Sequence, residues 1–75
     1  MKIEVGKTYI NTHEHAGKDV TILGRKIHIP SELTIIEDCG ALVGLPEIHS
    51  YNVVDEQGNR TVIDDEDSDK LVEKI

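Results

Sequence analysis

A small all-β domain is the fold class this sequence predicts: five to six short antiparallel strands in a barrel or sandwich, with room for one short helical turn near the C-terminus. Three observations predict it. The 75 residues hold ten Ile and seven Val against five Leu and two Ala, with no Phe or Trp. Branching at Cβ restricts χ1 in a helix but packs well on a pleated surface, so this balance favours strands. Turn signals recur about every 8–12 residues, the spacing of small all-β domains. No segment sustains a helical period long enough for a long helix.

Taken in order, "KTYI" (7–10) reads as a first strand and the polar "THEHAGKD" (12–19) as a turn ending near Gly17. "DVTIL" (19–23) alternates, so it is expected to form a hairpin with the first strand. Gly24, Arg25 and Lys26 break that run, and "IHI" (27–29) resumes it up to Pro30, which lacks a ladder donor and marks a boundary or edge. "LTIIED" (33–38) has the strongest strand propensity. Cys39 and Gly40 are expected to bend the chain tightly before "ALVGL" (41–45), which ends at Pro46. "YNVVDEQGNRTVID" (51–64) is the clearest hairpin, two β-branched runs joined across Gln57, Gly58 and Asn59. Five of the six residues 64–69 are acidic, which suits a solvated turn. "KLVEKI" (70–75) fits a helical turn or a strand equally well by period, and a short turn followed by a closing strand is favoured.

Length allows one domain, residues 1–75. The net charge of −7 is uneven: residues 1–30 carry five Lys/Arg and three Asp/Glu, residues 31–75 three Lys/Arg and twelve Asp/Glu. An acidic half repels nucleic acid and anionic membrane and attracts a basic protein surface. The plainer reading is that the charge keeps a small domain soluble. Cys39 is the sole cysteine, so no intramolecular disulfide can form and a reducing cytoplasm is expected. No run approaches the ~18 apolar residues of a membrane span. Asn59-Arg60-Thr61 fits the glycosylation sequon, but carries no consequence in a cytoplasmic protein.

Several constellations invite chemistry. His13 and His15 flank Glu14 and could join His28, His49 or Cys39 around zinc. Zinc sites, however, show paired short spacings, and one close pair with scattered singles is better read as a solvated turn. Cys39, His49 and Asp38 could form a nucleophile, base and acid, yet Glu37 and Asp38 beside the thiol would disfavour its thiolate. "VGKT" (5–8) lacks the earlier glycine of a phosphate loop, that position being Met1. Lys18, Arg25 and Lys26 with Tyr9 could contact nucleic acid, which is the alternative function. Single-strand binding needs several stacking platforms, though, and the chain has only Tyr9 and Tyr51. No enzyme activity, metal or cofactor is expected.

The start, "VGKTYINTHEHAGKDVTIL", and the end, "YNVVDEQGNRTVIDDEDSDKLVEKI", resemble small uncharacterised proteins of tailed bacteriophages and prophages, over 44 of 75 residues. The shared pattern is Val-Gly-Lys-x-Tyr, a glycine turn and alternating Val/Ile, then a "D-x-x-G" hairpin and an acidic loop before "D-x-L-V-E-x-I". Residues 24–50 depart from it. The resemblance implies a five-stranded SH3-like barrel and an accessory role in the host cytoplasm: binding, and inhibiting, a host protein such as a defence factor or a polymerase component. It implies no catalytic residues. The acidic half supplies the expected contacts: Asp64, Asp65, Glu66, Asp67 and Asp69, with Asp55 and Glu56 on the adjacent hairpin. If the run is only a solvated turn, neutralising Asp64, Asp65, Asp67 and Asp69 is expected to change stability little, as surface substitutions usually do.

Overall fold

The computed structural model describes residues 3–75; of the expected domain, Met1 and Lys2 lie outside the described residues. Its strands are β1 (Thr8–Asn11), β2 (Asp19–Ile22), β3 (Arg25–His28), β4 (Glu32–Leu42), β5 (Leu45–Asp55), β6 (Arg60–Asp64) and β7 (Leu71–Glu73), with a 3₁₀ turn η1 (Asp65–Lys70) between the last two. Five of them form one antiparallel sheet in the order β6-β5-β4-β1-β7, and β2 and β3 form a separate ribbon. The all-β expectation holds, and there is no long helix among the described residues.

The core follows the two-residue period of its strands. Leu33 and Ile35 on β4, Tyr51 and Val53 on β5, Tyr9 on β1 and Leu71 on β7 point to one face and are buried together with Ile3, while Ile63 on β6 packs against them. A side chain such as Ile35 contributes roughly 1.5–3 kcal/mol by leaving water. Only the first part of β4 and the last part of β5 supply this core. Beyond Ile35 the β4 side chains are largely exposed, and the two strands run on as a ribbon.

Four expectations are corrected. The first strand and residues 19–23 do not form a hairpin. β1 pairs with β4 (Tyr9↔Leu33) and with β7 (Tyr9↔Glu73), while β2 pairs with β3. Tyr9 reaches the core only between the strands that carry Leu33 and Leu71. Val20 and Ile22 are at most half-buried and match Ile27 and Arg25 instead. The break also falls earlier than expected: Leu23 and Gly24 are the turn, and Arg25 and Lys26 belong to β3.

Cys39 and Gly40 do not reverse the chain. Gly40, at φ +91°, sits at a register shift within β4, where Asp38 Oδ1 accepts from the Gly40 amide at 2.8 Å. One positive φ makes a bulge that bends a strand without ending it. The reversal comes at Val43 and Gly44, between paired Leu42 and Leu45. Pro46 then lies inside β5, where the register skips from Leu45 to His49 and no ladder donor is required.

The hairpin expected over 51–64 is present. Gly58 (φ +82°) donates to the Asp55 carbonyl at 3.0 Å, and the Asp55 carboxylate accepts from the Gln57 and Asn59 amides. The turn and closing strand expected at the C-terminus are η1 and β7.

Candidate functional site

A concavity of about 660 Å³ opens between β6 and η1 on one side and the segment that leaves β3 on the other. Leu33, Ile63 and Leu71 form its floor, and Ile29 and Pro30 its far wall. Asp55, Glu66, Asp67 and Asp69 stand around it, against Arg60 and Lys70. It exists because β6 is an edge of the sheet: Thr61 is paired with the buried Val53, on the same face, yet remains exposed.

The acidic run is built into the fold more deeply than a solvated turn would be. Asp64 caps η1 by accepting from the Glu66 amide at 2.9 Å, and Asp67 reaches back to accept from the Asp64 amide at 3.0 Å. This reciprocal capping box satisfies two donors at once. Asp65 turns inward, where Oδ1 accepts from the Tyr51 hydroxyl and Oδ2 from the His49 amide, each at 2.9 Å. Burial first, and then that carboxylate, push the Tyr51 phenol up to about 12. Glu66 and Asp69 have no side-chain partner among the described residues, and both are exposed. Of the seven acids expected to meet a partner, Asp55, Glu66, Asp67 and Asp69 line the groove, while Glu56, Asp64 and Asp65 do not.

Glu56 instead closes a three-membered clip that sequence reading missed. His28 Nδ1 lies 2.8 Å from Asp19 Oδ1, and its Nε2 lies 2.7 Å from Glu56 Oε1. Glu56 also accepts from the Ser31 amide. A ring between two carboxylates is stabilised as imidazolium, so Glu56 and then Asp19 raise the His28 pKa. Asp19 is held below its ordinary value by His28 and then Lys26. Burial opposes the ionisation of Glu56, but His28 and the Ser31 amide outweigh it, and its carboxyl is also lowered. The clip fastens the β2–β3 ribbon to the β5–β6 turn beside the groove. No spacing in the sequence announces it, since its members come from β2, β3 and a turn 28 residues further on. His28 and Glu56 also stand within 4.8 Å of an Asp55 oxygen, measured between potential ligand atoms.

The other constellations are placed as follows. His13 and His15 occupy an exposed turn with ring centroids 5.4 Å apart, and the His15 amide donates to His13 Nδ1. His49 and Asp38 do meet, at 3.1 Å, and the Gly40 amide and then His49 hold the Asp38 carboxyl below its ordinary value. The neighbouring Cys39 thiol instead faces Glu37 at 3.9 Å. Tyr9 is only 1% exposed, with its hydroxyl accepting from the Glu4 amide, so the stacking role it had in the nucleic-acid alternative is corrected. Tyr51 is buried as well. Comparisons with protein-family models, curated proteins and solved structures give no match.

Proposed function

We propose that this chain is a phage-type accessory module that binds and inhibits a host protein, such as a defence factor or polymerase component, through a basic part of that partner's surface. The observation that carries the reading is the groove: an apolar floor of Leu33, Ile63 and Leu71 beneath Asp55, Glu66, Asp67 and Asp69. Apolar floor gives affinity, and acids at the rim steer a cationic partner and set its register. The five-stranded sheet is read as an SH3-like barrel left open along β6, so that the opening is the binding site. Binding rather than catalysis suits a site in which Asp55 and Asp67 are engaged in turn and capping bonds while Glu66 and Asp69 stand exposed.

The test is retention of bacterial lysate proteins on the parent and on a Glu66→Gln/Asp69→Asn variant, which changes charge without touching the cap. A partner held by the parent at low salt should be lost from the variant, and released from the parent as salt rises. A protein held equally by both, at all salt concentrations, would defeat the reading.

A further inference from the structure

The open side of β6 carries more than a row of acids. The Asp55 amide donates to the Asn59 carbonyl at 2.9 Å, which sets the phase of the β5–β6 ladder. In an antiparallel pair, bonded and non-bonded positions alternate. With the register Val54↔Arg60, Val53↔Thr61, Asn52↔Val62 and Tyr51↔Ile63, the backbone groups of Thr61 and Ile63 turn toward β5. Those of Arg60 and Val62 turn toward the open edge. Asp64 fits the same phase, because its amide leaves the sheet to meet Asp67 Oδ2.

Such an edge is a template for a further strand, and proteins usually blunt it with Pro, a bulge, a lysine or extreme shortness. At the opposite edge, β7 is three residues long and is followed by Lys74, bound to Glu32. β6 has five residues, no proline and no register shift, and its Val62 is exposed.

Charge identifies the occupant. A second copy pairing here would bring two runs of five acids (64–69) close together, in a chain that already carries −7. A cationic segment meets the opposite condition. Building on the binding role proposed above, we infer that β6 accepts an extended, lysine- or arginine-bearing segment of a partner protein as an added strand. Its backbone pairs with Arg60 and Val62, its apolar side chains cover Ile63 and Leu33, and its basic side chains lie toward Glu66 and Asp69. Arg60 repels cations at the other end of the strand and so fixes where the basic residues sit.

The experiment uses the full chain and a short synthetic peptide of alternating valine and lysine. Beside it are the same peptide N-methylated at every second residue and a version with glutamate for lysine. Amide exchange and chemical shifts at Arg60 and Val62 are followed by NMR at low salt. The parent peptide should slow exchange at these two amides and bind about tenfold more tightly than the N-methylated form, as expected for a few lost hydrogen bonds. It should bind more weakly to Val62→Pro, whose missing N–H faces away from β5. Equal binding of the N-methylated and parent peptides would overturn edge pairing while leaving charge recognition by the groove intact. Equal binding of the glutamate peptide would overturn the cationic occupant and the proposed function with it. Absence of any response to the lysine peptide, or protection of Val62 by self-association without peptide, would overturn the inference.

Discussion

The Tyr51 hydroxyl donates to Asp65 Oδ1 at 2.9 Å, joining the buried end of β5 to the first residue of η1. One carboxylate thereby satisfies a buried phenol and, through Oδ2, the His49 amide. Asp65→Ala should therefore cost roughly 1–3 kcal/mol, the scale of leaving buried donors unsatisfied. Asp69→Asn should be close to neutral. This revises the expectation that the acidic residues can be neutralised together without loss, because Asp64 and Asp67 cap η1. Denaturant melts of the single variants check it, and equal stabilities for the two would contradict the assignment.

The Tyr51 phenol offers a separate readout of the same bond. In the parent it should titrate near 12, and in Asp65→Asn its pKa should fall toward the ordinary 10.0 without reaching it, because burial, the larger cause, remains. Tyr51 ring carbon shifts measured against pH resolve it from Tyr9. An unchanged midpoint in the variant would show that the carboxylate does not act on the phenol.

The His28 clip should make stability depend on pH with a defined sign. A raised folded pKa means that the His28 contribution is complete below its ordinary 6.5 and fades as pH rises through the folded value. Asp19 and Glu56, both lowered, contribute fully above their ordinary 3.8 and 4.5, and lose that contribution as pH falls through their folded values. The stability difference between the parent and His28→Gln should be largest between those limits and shrink at alkaline pH. Denaturation series of both proteins measure it, and a difference that grows with alkalinity would refute the charged clip.

Leu23 occupies the left-handed region at φ +50°, followed by Gly24 at +77°, in the two-residue turn joining β2 and β3. A leucine there costs roughly 1–2 kcal/mol, whereas Asn-Gly is the favoured pair for such turns. Leu23→Asn should therefore slow amide exchange across β2 and β3. Faster exchange would mean that the exposed leucine holds the turn by contacts and not against strain.

Whereas 70–75 fitted a strand or a helical turn alike, the β class and the hairpin over 51–64 were legible in the sequence by itself. Each depends on local chemistry: the Val/Ile excess, the period of two, and the Asp55 to Asn59 turn with Gly58. The acids beside the groove were legible as charge for the same reason, since composition needs no partner. Which strand β1 joins was not legible, because Thr8–Asn11 has no local feature that chooses β4 and β7 over β2. Burying Tyr9 between Leu33 and Leu71 makes that choice, over separations no turn signal spans. Gly40 shows the same limit, since its positive φ suits a bend or a bulge and only the continuing β4–β5 ladder decides. The fates of the acids also had to wait for the tertiary structure. Asp65 and Glu66 are neighbours of like charge, yet one is turned beneath Tyr51 and the other stands at the groove. What separates them is the direction in which η1 presents each side chain to β5, a relation set by packing.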